Sequence, residues 1–314
     1  MPGWPSQHEK ITTSSVRAMV LQALDTGTAA WINDLVMKTN SDDASETDAW
    51  LGAPPAMNEF IGKRKLNELK EVSFTISNKD YENNLVIRSK DMRRDKTGQI
   101  QIRVNQLADR VLDHPATLLS TLVMNGESAL CYDGQYFFDT DHVDGDSGMI
   151  SNDITSVAAV PAAPTAAEFS KAIMAAITAM YKFKDDKGQP MNQSARVFTV
   201  MVAPDHMTAA LEAVTSLQGA NGASAIIPAL RGKFTINVEV NARLTWTTKF
   251  AVFRTDGNVK PFILQEDSGG MDVVAIGDGS EHEQMHKEQI YGVDWSGNVG
   301  YGYWQGAVLV TLTT

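Results

Sequence analysis

His282-Glu283-Gln284-Met285-His286 has the spacing with which two histidines one helical turn apart bind zinc while the glutamate activates a metal-bound water. A zinc-dependent hydrolase using His282, Glu283 and His286 is therefore the enzymatic reading of this chain. The surroundings oppose it. The flanking residues are polar throughout, where a zinc helix needs an apolar buried face, and Gly279 and Gly292 bound the segment. Past Glu288 the sequence offers one acidic residue, Asp294, and no histidine as a third ligand. A polar surface turn accounts for the segment better.

Asp139-Thr140-Asp141-His142-Val143-Asp144-Gly145 invites comparison with a calcium loop, which needs carboxylates at its first, third and fifth positions, Gly at the sixth and Glu at the twelfth. Counted from Asp139 those last three positions hold Val143, Asp144 and Ile150, so a turn held by Asx hydrogen bonds is expected instead. Cys131, the single cysteine, excludes an intrachain disulfide framework and is read as a small buried hydrophobe, not a nucleophile. The sequence contains no phosphate-cradling glycine loop and no G-x-S-x-G elbow. No catalytic residue, cofactor or metal is expected.

The elements that must position these residues belong to a folded globular chain of 314 residues, 43% hydrophobic and 21% charged, with net charge −11. No apolar run approaches the roughly 20 residues of a membrane span, and the N-terminus lacks the pattern of a secretory signal. The expectation is a soluble protein made in the cytosol. The negative charge argues against electrostatic attachment to nucleic acid or an anionic membrane. Residues 63 to 96 are the exception, with 10 basic and 6 acidic side chains. They read either as a solvated charged face or as an arm that seeks an acidic surface on another copy.

Residues 14 to 38 carry helical spacing interrupted at Gly27, and the polar stretch 40 to 48 reads as loop. From Leu69, Val72, Phe74 and Ile76 alternate with polar residues and a second strand follows at Leu85, which predicts a long hairpin bearing Lys70, Lys79, Arg88 and Lys90, with Arg93 and Arg94 just behind. Val104, Leu107, Ala108, Val111 and Leu112, then Leu118, Leu119, Leu122 and Val123, predict a long helix kinked at His114-Pro115. Residues 131 to 153 read as a tightly turned loop with strand fragments, and 157 to 164 as a linker. Thr165 and Glu168 form a capping box opening a helix. Strands are expected at 197–202, 234–240, 250–254, 262–264, 271–276 and 307–312, with Asp256-Gly257 as a hairpin turn. The sum is an α+β fold with mostly antiparallel strands.

Trp50-Leu51-Gly52 with Pro55, Met57, Glu59 and Gly62, Asn78-Lys79 and Glu82, and Tyr132-Asp133-Gly134-Gln135 leading into Phe137-Phe138-Asp139-Thr140-Asp141-His142 give the chain a resemblance to the major head subunits of Mu-like tailed bacteriophages, the gpT family. That resemblance implies a Hong Kong 97-like major capsid fold. Residues 1–62 would be the N-terminal arm and connection, 63–96 the extended hairpin loop, 97–156 the spine helix and peripheral domain, 157–280 mainly the axial domain, and 281–314 the return to the peripheral domain. Trp50, Leu51, Gly52, Asp133, Gly134, Phe138 and His142 would be structural, and Lys70, Lys79, Arg88, Lys90, Arg93 and Arg94 would contact a neighbouring subunit.

The implied partners are many copies of the chain in hexamers and pentamers, a separate scaffolding protein and prohead protease, a portal at one vertex, a decoration protein, and packaged DNA held only nonspecifically. The implied place is the virion, assembled in the bacterial host cytoplasm. With the predicted hairpin beginning near residue 65, no fused scaffold of domain size is expected. A non-capsid oligomeric phage component is the remaining structural alternative.

Overall fold

The computed structural model describes residues 13–24, 30–41, 45–48, 74–92, 98–218, 234–277 and 279–314. Helical spacing of apolar residues sets its axis. α4 (Gln99–Leu112) buries Ile100, Val104, Leu107, Ala108, Val111 and Leu112 on one stripe, and α5 (His114–Met124) buries Ala116, Leu119, Ser120 and Val123. Asp113 joins them, and Pro115 falls in the first turn of α5, where a missing N–H breaks no helical bond. The predicted kinked helix is thus two helices end to end.

α1 (Thr13–Leu24) lays Val16 and Val20 against this axis, in one cluster with Val104, Leu107 and Val111. The expected helix over 14 to 38 ends early. α2 (Ala30–Leu35) is short, and the chain then runs as β1 (Val36–Ser41) parallel to β11 (Phe262–Ile276). The stretch expected as loop, 40 to 48, contains the end of β1 and all of β2 (Ser45–Asp48). Both strands are polar and are held by ladder hydrogen bonds to their partners, which overrides their weak local preference.

β3 (Phe74–Ser77) and β4 (Lys79–Arg88) do not form the expected hairpin with each other. β3 pairs antiparallel with β2, whereas β4 runs antiparallel along β12 (Glu288–Tyr301), with Asn78 between the two. β2 and β3 are instead the two arms of a ribbon whose connection, residues 49–73, lies outside the described residues. α3 (Ser89–Met92) follows β4. The first main sheet has the order β1-β11-β12-β4. β11 is one strand where two were expected, because the register shift between Glu266 and Met271 interrupts its pattern without ending its pairing.

The second main sheet has the order β7-β13-β10-β8-β9. It contains β7 (Asp153–Val157), β8 (Val197–Val202), β9 (Thr235–Val240), β10 (Lys249–Arg254) and β13 (Ala307–Thr313). Consequently β11 leaves the 157–280 span to join the first sheet, and β13 leaves the 281–314 span to join the second. Asp256-Gly257 is not a hairpin turn, since β10 and β11 lie in different sheets; the Asp256 carboxylate instead accepts the Arg196 N–H and the Arg254 Nε at 2.7 Å.

α6 (Ala166–Lys182) is opened by the expected capping box, in which Thr165 Oγ1 accepts the Glu168 N–H and Glu168 accepts the Thr165 N–H. Its Phe169 stacks on Phe250 of β10, ring centroids 4.3 Å apart. α7 (Met207–Gln218) packs beside it. One core spans both sheets, from Phe137, Phe262 and Tyr301 to Phe198, Phe250 and Trp304. Ala158 is buried in that same core and its N–H bonds the Thr313 carbonyl, so 157–164 is a turn within one body, not a linker. Among the described residues no helix is long and apolar enough to cross a membrane.

Candidate functional site

The densest polar constellation in the interior grows from the loop between α5 and β7, where alternation sends Cys131, Phe137, His142 and Ile150 inward. Gly134, with φ of 85°, makes the tight turn that bridges Leu130 to Tyr136. β5 (His142–Val143) and β6 (Met149–Ile150) make a second small ribbon.

The His142 side chain is fully buried. Its Nδ1 lies 2.7 Å from Asp133 Oδ2, and its Nε2 lies 3.2 Å from Asn152 Oδ1. The donors can be assigned from the partners. Asn152 Nδ2 faces two carbonyl oxygens, Phe137 at 2.8 Å and Trp304 at 3.4 Å, and Asn152 Oδ1 accepts the Asp139 N–H at 2.8 Å. Oδ1 is thus an acceptor, and His142 Nε2 must donate. Asp133 meanwhile accepts the Gln135 N–H and the Cys131 thiol, at 3.1 and 2.9 Å, as an ionised carboxylate does, so Nδ1 donates as well. Both ring nitrogens thus face acceptor oxygens. The ring lies flat on the indole of Trp304, ring centroids 4.0 Å apart at 11°.

Burial alone would raise the Asp133 carboxyl. The hydrogen bonds from His142, Cys131 and the Gln135 N–H, with the His142 charge, outweigh it and hold the group below its ordinary value. Burial, followed by the Asp133 charge, pushes the Cys131 thiol up, the reverse of what a nucleophile needs. Cys131, Asp133 and His142 bring three metal-ligating atoms within 4.8 Å of one another. Their direct contacts are shorter than the roughly 3.3 Å that separates ligands around a tetrahedral zinc. With the thiol kept protonated, the trio acts as a hydrogen-bonded clamp that fixes the loop to β13's approach through Trp304.

Of these residues, Asp133 and His142 stand out in the sequence through family resemblance, and Cys131 is buried as expected. Asn152 and Trp304 carry no local signal, because their roles come from contacts far along the chain. Asp139 does not make the expected Asx turn: its carboxylate accepts the Tyr136 N–H three residues before it and the Thr140 N–H one residue after it, and the bond two residues on is made by Asp133 to the Gln135 N–H. Phe138 packs over Gly126, and its N–H bonds the Gly126 carbonyl at 2.8 Å.

The H-E-x-x-H segment is a short helix, α8 (Glu281–His286), not the expected turn, with no buried residue. Ser280 caps it by accepting the Glu283 N–H. Glu283 is fully engaged: Oε1 accepts Ser89 Oγ at 2.7 Å and Gln289 Nε2 at 3.0 Å, and Oε2 accepts the Gly279 N–H at 3.0 Å. These bonds pull its pKa down to about 2. Such a carboxylate is a helix brace and a poor general base. The basic residues are scattered. Lys79 and Lys90 are exposed, and Arg88 sits 3.8 Å from Glu288 of its own chain. Lys70, Arg93, Arg94, Trp50, Leu51 and Gly52 lie outside the described residues.

Two mixed sheets sharing one core, with a broken helix running beside the first, are the architecture of Hong Kong 97-like phage capsid proteins. The structure aligns with the procapsid protein of bacteriophage JBD30 over 96% of this chain and 74% of that one, at 22% identity and a TM-score of 0.57. It aligns with the capsid of cyanophage P-SCSP1u over 100% and 93%, at 12% identity and a TM-score of 0.55.

The sequence narrows the class to a family. The model of the Mu-like prophage major head subunit gpT matches residues 10–166 and 231–313, and the chain belongs to that family. It is 33% identical over 127 residues to the Mu-like prophage FluMu major head subunit of Haemophilus influenzae, and 31% identical over 124 residues to the major capsid protein of Escherichia phage Mu. These alignments cover 39% and 38% of this chain and 41% of each relative, so the chain spans about two fifths of the curated relatives it matches.

Proposed function

We propose that this chain is the major capsid protein of a Mu-like tailed phage, forming the hexamers and pentamers of an icosahedral head around double-stranded DNA. The observation that carries the reading is membership of the gpT family over the α4–α5 axis and every strand of the two sheets except β8, together with a capsid fold along nearly the whole chain. The role is structural. Its polar interior constellation is a clamp, and the only zinc-protease spacing is spent on bracing α8.

In this reading α4, α5 and the β1-β11-β12-β4 sheet form the peripheral domain, and the five-stranded sheet with α6 and α7 forms the axial domain. The β2–β3 ribbon is the base of the extended loop, and Lys70, Lys79, Arg88, Lys90, Arg93 and Arg94 contact a neighbour. A separate scaffolding protein, a prohead protease, a portal and a decoration protein complete the assembly, which takes place in the host cytoplasm. The acidic body keeps packaged DNA from adhering to the inner wall.

Negative-stain electron microscopy of the protein expressed alone and with its phage's scaffold tests this. Closed shells or capsomer-sized rings are expected. A monomer under both conditions would contradict the reading.

A further inference from the structure

Among the described residues the first main sheet is open along β4. In the order β1-β11-β12-β4 this strand stands last, and its ten residues pair with β12 on one side only. Such an edge presents a row of unpaired N–H and C=O groups, and folded proteins protect it with charges, a proline or a bulge. Lys79, Asp80 and Glu82 guard the start of β4 and Arg88 its end. The middle, Asn83-Asn84-Leu85-Val86-Ile87, has no charge and no proline, and its register with β12 is unbroken. Val86 there is 48% exposed.

This unprotected stretch borders a groove. Asn83 and Leu85 lie on the same face of β4 as Ile87, which shares a core with Val104 and Leu107 of α4. With Leu107, Arg103 and Arg110 they line a groove of about 690 Å³. Arg103 and Arg110 are exposed, stand two helical turns apart on one side of α4, roughly 10 Å along its axis, and make no ion pair with a described residue. Against them the groove sets one acid, Asp109, in a chain of net charge −11. Past Asn83 and Arg110 lies a smaller cavity of about 160 Å³, also lined by Tyr81, His114 and Trp295. Trp295 is 4% exposed, and neither its Nε1 nor His114 Nε2 has a hydrogen-bond partner. An unmet indole N–H calls for an acceptor.

We infer that this groove receives an extended acidic segment of another polypeptide, added as a further strand along residues 83–87 with its carboxylates toward Arg103 and Arg110. Carboxylates on alternate residues of a strand recur about every 7 Å on one face, a spacing that two long arginine side chains can meet. Backbone pairing along the open edge supplies affinity, and the arginines supply the preference for acid. An acceptor at the Tyr81 end of the segment would satisfy the Trp295 N–H. A nucleic acid fits less well, because its backbone cannot continue a β-ladder. Asp80 and Glu82, with Asp294 opposite Glu82, also put negative charge beside the strand, where phosphates would be repelled. The groove belongs to the single chain and needs no assembled shell.

The test is fluorescence anisotropy of a labelled peptide, Thr-Glu-Val-Glu-Val-Glu-Thr, on the full chain, beside its analogue with Gln for every Glu and a short oligothymidylate. Amide hydrogen exchange, read by mass spectrometry, follows residues 83–87 in the same samples. Arg103→Gln with Arg110→Gln is the variant; both residues lie off the buried stripe of α4, so the fold is kept. Lys171→Glu, an equal change of net charge at an exposed position of α6, is the control. The expected result is saturable peptide binding that slows exchange at 83–87. It should be about tenfold weaker in the arginine variant and for the Gln analogue, and unchanged in the control. Absence of saturable binding overturns the inference. Equal weakening in Lys171→Glu does so as well, reducing the effect to overall charge, and so does binding without slowed exchange at 83–87, which leaves no added strand. Oligothymidylate binding that is tighter than the peptide's and lost in the arginine variant would overturn it too, and would assign the groove to nucleic acid.

Discussion

The ring of His142 lies parallel to the indole of Trp304, 4.0 Å away and 162 positions earlier in the chain, with the Asp133 carboxylate at its edge. This stack joins the loop after α5 to the turn before β13. Asn152 ties the same two segments a second time, through the Phe137 and Trp304 carbonyls.

Removing the His142 ring strands a buried carboxylate. His142→Ala is expected to destabilise the chain by about 3–5 kcal/mol, because breaking one partner of a buried pair costs more than the pair itself contributes. Asp133→Ala on top of it should cost much less than its own single effect. Urea unfolding of the four members of this cycle reads the coupling.

Acid should act on two carboxylates in the same direction. Asp133 and Glu283 are both held below their ordinary values, so each contributes stability that is complete above the unfolded-chain value and is lost as pH falls through the folded one. For Glu283 the window runs from its ordinary 4.5 down to about 2. Glu283→Gln should flatten the acid limb of a stability-against-pH curve within that window and leave the neutral plateau lower. A variant curve parallel to the parent's would contradict this.

Gly126 is fixed by proximity. A Cβ there would meet Phe138 Cδ2 at 2.5 Å, and Phe138 is itself buried. Gly126→Ala should cost about 1–3 kcal/mol by overpacking, measured as a lower urea midpoint with unchanged slope.

Zinc should be irrelevant. His282→Ala and His286→Ala are expected to leave the metal content of the purified protein, by plasma emission, equal to that of the parent, with no stoichiometric zinc in either. One zinc per chain in the parent, lost in both variants, would revive the hydrolase reading.

Charge reversal should weaken assembly without unfolding the subunit. Lys70, Lys79, Arg88 and Lys90 changed together to Glu are expected to reduce the yield of shells, while circular dichroism stays that of the parent. The effect should be mimicked in the parent by salt, since exposed charges are screened beyond about 8–10 Å at 0.1–0.15 M. Unchanged shell yield would remove the electrostatic part of the contact.

Helices with a single strong stripe were legible in the sequence. α4, α5 and α6 combine apolar spacing with a proline or a capping box, and local rules suffice for them. Strand existence was legible at Phe74–Ser77 and Leu85–Arg88, but strand partners were not, since alternation says which face is inward and nothing about the neighbour. β1 and β2 escaped because residues such as Lys38, Thr39 and Asn40, or Ser45-Glu46-Thr47-Asp48, have no strand preference and are recruited by β11 and β3. At the clamp, Asp133 and His142 were found by resemblance. Asn152 and Trp304 were not, because a lone Asn and a Trp in a glycine-rich stretch acquire meaning only when the fold brings them to the loop.

The most direct test of the central claim is the mass of the particle formed by the unmodified chain with its scaffold, read by sedimentation velocity. A fast boundary of closed shells is expected with, at lower concentration, discrete pentamer- and hexamer-sized species. A single boundary at the 34.2 kDa of one chain across all concentrations would contradict it.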